Sequence, residues 1–288
     1  MRAVANRSWL AAITGAAIGA VAARAAYSAF RRRPPLGDEK TWTRTNHRFE
    51  PVTLLEGPAL VAGVGAAAAL TPALPPRVRA AAALAGVGSG VLGGYDDIYG
   101  TTTAKGFKGH LSALARREVT SGAIKIVGIG LVGLASAALA RESARPADVV
   151  LDGALIAGSA NLANLFDLRP GRAIKVGLLA GTPLLAAAVY RDRPAQAALV
   201  AIPLGAAAAL LPEDLAERAM LGDAGANALG ALLGLTATGT SRPARLAAFA
   251  AVAGLTAASE KVSFTKVIAN NPVLNRLDLL GRRPAPEA

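Results

Sequence analysis

Four carboxylates in this 288-residue chain sit where carboxylates are costly. Asp96 and Asp97, in "GGYDDIYG", follow a run from Ala80 to Gly94 that carries no charge. Asp167 closes "SANLANLF", and Asp223 stands among glycines in "MLGDAGANALG". Asp is among the most expensive residues to place in hydrocarbon, so each needs either water at a helix end or a cation. Hard oxygen ligands without a His or Cys cluster suit Mg²⁺ or Mn²⁺ rather than zinc. The sequence has no cysteine and two histidines, which excludes disulfides and thiolate metal sites.

The neighbours of these acids extend the chemistry. Asn161, Asn164 and Asp167 recur every three residues, within an arc of about 120° on a helix. Such a stripe either hydrogen-bonds a neighbouring helix or faces a ligand. Arg169 and Arg172 flank the turn in "RPGR", an arrangement suited to phosphate oxygens. Asp223 is either a helix N-cap or a cation ligand beside a helix N-terminus, whose dipole favours phosphate. Lys125, about one turn into an apolar run, either snorkels to headgroups or faces inward to a phosphate. Lys108 and His110 are further candidates in the loop "GTTTAKGFKGHLSALARRE", although such charge runs are ordinarily solvated. A divalent ion with nearby Lys and Arg is the equipment of phosphoryl transfer.

What positions these groups follows from where charge is missing. The chain is 53% hydrophobic and 4% aromatic. Its charges cluster between uncharged runs of about 15–22 residues, long enough to cross a bilayer. The expected fold is all-α: a polytopic transmembrane helical bundle of about nine spans. They fall near residues 9–29, 53–71, 78–95, 119–140, 148–166, 173–190, 195–212, 224–240 and 243–259. Residues 1–260 form the transmembrane domain, and 261–288 a basic cytoplasmic tail that is partly amphipathic. The basic, then apolar N-terminus reads as a retained first span rather than a cleaved signal.

Lys and Arg are nearly twice as numerous in the connections 31–52, 98–118, 167–175, 213–223 and the tail as in the opposite set. The positive-inside rule then gives N-out, C-in. On that topology Asp96, Asp97, Asp167 and Asp223 all reach the cytoplasmic face. The outer acids Asp148 and Asp192 lie beside Arg and read as solvated loop charges. The net charge of +12 is spread over loops, which points to anionic lipid and phosphate-bearing substrates and not to nucleic acid.

Three motifs in this order, "GYDDIYG", "NLANLFD" and "MLGDAGANALG", resemble the polyprenyl-phosphate N-acetylhexosamine-1-phosphate transferase superfamily. That superfamily includes phospho-N-acetylmuramoyl-pentapeptide transferase, and the resemblance spans roughly residues 40–235, with "TNHRFEPVTLLEGPAL" like its segment before the second span. The resemblance implies transfer of a sugar 1-phosphate from a UDP-sugar to undecaprenyl or decaprenyl phosphate, with Mg²⁺, for cell-envelope glycopolymer synthesis. It implies that Asp96, Asp97, Asp167 and Lys125 are catalytic, that Asp223, Asp97 and Asp167 hold the metal, and that Asn161 and Asn164 face the nucleotide. A bacterial plasma-membrane location and a possible homodimer go with it. The chain departs from the family at "DLRPGR", where Pro170 replaces an Asp, and in lacking a His-rich loop near residues 260–283. Those departures carry the alternative: a catalytically degenerate relative that binds polyprenyl phosphate or scaffolds envelope-synthesis enzymes. A solute carrier is disfavoured, because carriers place their acids near the bilayer midplane.

Overall fold

The apolar runs of the sequence are helical throughout the structure, a computed structural model that describes residues 7–100, 120–141 and 145–284. The order is α1 (Arg7–Arg32), α2 (Glu39–Trp42), β1 (Thr43–Thr45), β2 (Pro51–Thr53), α3 (Glu56–Leu70), α4 (Pro76–Ala83) and α5 (Ser89–Tyr99). Then come α6 (Ser121–Ala140), α7 (Pro146–Phe166), α8 (Arg172–Tyr190), α9 (Pro194–Leu215), α10 (Gly222–Thr238), α11 (Arg242–Ser259), α12 (Phe264–Asn270) and α13 (Pro272–Leu279). The prolines that break the apolar runs also start helices: α4, α7, α9, α11 and α13 each have Pro in the first turn. There the missing N–H is no loss and the fixed φ is already helical.

All nine expected stretches are helical, and five helices are long and apolar enough to cross a membrane: α1, α6, α7, α8 and α9. The outer surface of these and neighbouring helices is apolar, with Leu10, Ile13, Val21, Leu131 and Leu179 exposed, whereas Glu56, Asp152 and Arg245 are buried. This distribution is the reverse of a water-soluble domain. At the centre stands α10, buried at every position except Asp223. It packs on α3, α5, α7 and α9, while α1 lies along α9. Small residues such as Ala11, Ala12, Ala198 and Ala201 are buried in the core, which lets helices approach closely without large side chains.

Two features position the site. A π-helical turn, Leu84–Gly88, joins α4 to α5 without breaking the helical backbone. One extra residue rotates the following face by about 100°, and this sets where Asp96 and Asp97 emerge. The second feature was not expected from the sequence: the connection 31–52 contains an antiparallel hairpin, with Thr43 opposite Thr53 and Thr45 opposite Pro51. Its turn is held by Asn46, whose Oδ1 accepts from the amides of Arg48 at 2.8 Å and Glu50 at 2.9 Å. Thr53 bridges to Ala219, tying the hairpin to the segment that leads into α10.

The tail packs back onto the same end of the bundle. The Arg172 guanidinium donates to both oxygens of Asp278, at 2.8 and 2.9 Å, and to Thr265 Oγ1 at 2.9 Å. The Lys175 ammonium donates to the carbonyls of Leu277, Asp278 and Leu280, satisfying the open C-terminal turn of α13. Arg283 pairs with Glu50 on the hairpin, and Phe264 stacks on Phe166 with ring centroids 4.9 Å apart. The outward side of α13 is apolar, with Val273, Leu274 and Leu277 exposed.

Candidate functional site

Asp223 begins α10, and the backbone of Gly93 in α5 rests directly on its carbonyl, where any Cβ would collide. That close approach brings the last two turns of α5 against the first turn of α10. Lys125 of α6 completes the meeting. Its ammonium donates to Asp96 Oδ2 at 2.7 Å and also to Asp223 Oδ2. Residues from three helices, with Lys125 lying 29 positions from Asp96 and 98 from Asp223, therefore form one carboxylate–ammonium–carboxylate unit. Lys125 faces inward; it does not snorkel.

Asp97 does something different from its neighbour. Its Oδ1 accepts from the Asp223 amide at 3.0 Å and its Oδ2 from the Ala224 amide at 2.9 Å. The carboxylate thus caps α10 from another helix, using N–H groups that a helix start leaves unpaired and a dipole that favours negative charge. The carbonyl of Asp97 accepts from Arg44, which also donates to the carbonyls of Thr41 at 3.1 Å and Thr43 at 2.8 Å. Arg44 so fastens the hairpin to the end of α5. Gly222 has φ 60°, and a Cβ there would lie 3.0 Å from both Asp97 oxygens. A Gly222→Ala variant should lose about 1–2 kcal/mol to left-handed strain alone and should unfold at a lower temperature in detergent than wild type.

Asp167 ends α7 as its C-cap. It interacts electrostatically with Asp97 and Asp223, and its Oδ2 is buried without a hydrogen-bond partner among the described residues. It also lines a cavity of about 240 Å³ with His47, Arg169, Pro170, Asp214 and Glu217, between the hairpin and the segments that follow α7 and α9. Burial pushes the His47 imidazole below its ordinary pKa against the opposing charge of Glu217. Arg169 donates to the Leu168 carbonyl and lines the cavity.

The other candidates are placed less centrally. Asn164 is half-buried and Asn161 exposed. Arg172 is buried and its guanidinium is taken up by Asp278 and Thr265, so here it anchors the tail. Burial works against ionising Asp278, but the hydrogen bonds from Arg172 outweigh it and hold that carboxyl below the usual range. Lys108 and His110 lie outside the described residues. Sequence reasoning passed over Glu56, fully buried with neither oxygen hydrogen-bonded among the described residues, and Asp214, buried beside the cavity. A single acid inside "TLLEGPAL" or "ALLPEDLAER" was the available signal.

Among the described residues no three His, Cys, Asp or Glu side chains are gathered to hold a metal ion. The donor chemistry nevertheless suits Mg²⁺. Asp96, Asp97 and Asp223 offer only oxygen, the first and last share the Lys125 ammonium, and Asp167, with an oxygen unpaired among the described residues, interacts with Asp97 and Asp223. Each Asp97 oxygen accepts one backbone amide and keeps a lone pair free, so Asp97, Asp223 and Asp167, with Asp96 beside them, are the residues that would hold such an ion. No protein-family model matches this chain, and no curated protein matches it.

Proposed function

We propose that the protein transfers a sugar 1-phosphate, N-acetylhexosamine 1-phosphate above all, from a UDP-sugar to polyprenyl phosphate. The products are a lipid-linked diphosphate sugar and UMP. The observation that carries this reading is the meeting of Asp96, Lys125 and Asp223, with Asp97 fixing the start of α10 beside them. The reading takes the nine helical stretches as spans of a bacterial plasma membrane, N-out and C-in, with this end in the cytoplasm. That is where a soluble nucleotide and a lipid phosphate can meet.

In the reaction an oxygen of the lipid phosphate attacks the sugar-bearing phosphorus, and the bond from that phosphorus to the UMP oxygen breaks with its electron pair. Mg²⁺, when bound, neutralises charge on the diphosphate. Asp96, free of backbone amides, takes up the proton of the incoming lipid phosphate. Lys125 exchanges a carboxylate for a phosphate oxygen, a substitution its single flexible stem allows. Arg169 and the cavity it lines receive the nucleotide. Positioning and charge neutralisation supply most of the catalysis in such a transfer.

The test is UMP release from UDP-N-acetylglucosamine by purified protein with undecaprenyl phosphate and Mg²⁺. Asp223→Asn and Asp97→Asn should each reduce release by at least about 100-fold, the scale of losing one electrostatic contributor. Unchanged release in both would sink the assignment. Binding of polyprenyl phosphate with no turnover across a panel of UDP-sugars would favour the degenerate relative that Pro170 suggests.

A further inference from the structure

The end of the bundle opposite the carboxylate–lysine unit holds a second charged assembly, which the reaction above does not use. Asp152 of α7 is fully buried. Its Oδ2 accepts from Arg141 Nε at 2.8 Å and its Oδ1 from Arg245 Nη1 at 2.6 Å. Arg245 continues to Asp148 at 3.2 Å, which Arg242 approaches at 3.5 Å. Arg141 is fixed a second time, its Nη2 donating to the Thr238 carbonyl at 2.7 Å.

Beside Arg141 is a cavity of about 330 Å³ between α4, α6, α9 and α10. Its polar lining includes Arg141, Gln196 and Thr240; its apolar lining includes Val78, Leu199 and Leu235. Arg193 stands at its edge, with Nη1 donating to the Gly239 carbonyl at 3.2 Å. Charge does not balance here. Three arginines of the network share two aspartates, and among the described residues no carboxylate pairs with Arg193. Arg141 keeps Nη1 without an acceptor among the described residues, on a guanidinium that is already held rigid.

A preorganised guanidinium with a spare N–H edge is suited to phosphate oxygens, and little ordering entropy is lost on binding. The apolar wall and a volume in the range of small-molecule sites exceed what a bare phosphate ion needs. We propose that this cavity binds the phosphate group of a membrane phospholipid, with Arg141 and Arg193 on its oxygens. Val78, Leu199 and Leu235 then pack against the first part of the lipid's apolar portion. The site is independent of the transferase reading, since it shares none of that site's residues.

The experiment uses the purified full chain in detergent, with native mass spectrometry and thermal unfolding as readouts. The probes are phosphatidylglycerol, phosphate-free diacylglycerol of the same chains, and inorganic phosphate. Phosphatidylglycerol should bind and raise the unfolding temperature, and the other two should do neither at the same concentration. Arg193→Gln, which disturbs no buried carboxylate, should weaken phosphatidylglycerol binding at least about tenfold by removing a charge-assisted contact. Ala195→Phe, which fills the cavity from its lining, should do the same. Equal binding of diacylglycerol, inorganic phosphate binding as tightly as the lipid, or retention of wild-type affinity in both variants would each overturn the proposal.

Discussion

Lys125→Met should abolish UMP release and also lower the stability of the protein, and the second effect is the more diagnostic. Side-chain exposure at the ion unit is 16% for Lys125, 17% for Asp96 and 25% for Asp223. Removing the Lys125 ammonium, the only one paired with these acids among the described residues, leaves two carboxylates facing each other in a largely dry setting. Breaking a buried pair this way typically costs about 3–5 kcal/mol, and the partial exposure here places the value near about 3. Thermal unfolding in detergent reads the loss. A double variant, Lys125→Met with Asp96→Asn, should recover much of the unfolding temperature, because one of the two carboxylates that Lys125 paired is now neutral. It should recover none of the turnover. A structural lysine would instead show activity returning with stability, so the two readouts separate the roles.

The other large effect belongs to Asp152. Its substitution by Ala leaves Arg141 with the Thr238 carbonyl and Arg245, whose side chain is only 5% exposed, with Asp148 as the remaining partners among the described residues. A buried guanidinium that loses one of its two carboxylates is still costly, and because Asp148 remains, the lower end of the usual range, about 3 kcal/mol, applies. Asp152→Asn keeps the shape and one of the two acceptors, its amide nitrogen meeting an arginine donor and the charge being lost, and should fall between wild type and Ala. Asp152→Leu combined with Arg245→Met should be markedly more stable than Asp152→Ala, since replacing a buried pair by apolar groups is often close to neutral. If Asp152→Ala unfolds at the wild-type temperature, the network contributes nothing to holding α6, α7 and α11 together.

These two groups show what could be read from the chain and what could not. The helices were legible because uncharged runs bounded by Pro and Arg have one favourable solution in a low-dielectric setting. Gathering Asp96, Lys125 and Asp223 was legible in part, since sidedness alone placed the acids at one end. Their division of labour was not. Nothing in "YDDIY" says that the second aspartate caps a helix 126 residues away while the first takes a lysine. Of the two acids read as solvated loop charges, Asp192 is exposed and accepts from Ser8, whereas Asp148 is largely buried and pairs with two arginines. Asp152, alone in "VVLDGALIAG", carried the warning that a charge in an apolar run should have a partner. The hairpin escaped because Thr43, Thr45, Val52 and Thr53 make too short an alternation to stand out among charges. The Arg172–Asp278 pairing spans 106 residues, and periodicity reports a helix face but never which distant segment arrives to cover it.

That last pairing bears on the order in which the molecule is made. Residues 264–284 follow every other element of the site in the chain, so they leave the ribosome after α3, α5, α6, α7 and α10 are already synthesised. Until they arrive, Arg172 has no carboxylate, Lys175 no carbonyls, and Glu50 on the hairpin no arginine. The bundle can therefore assemble in the membrane while the rim of its cavity stays unfastened. α12 and α13 close that rim only after the rest of the bundle has been made.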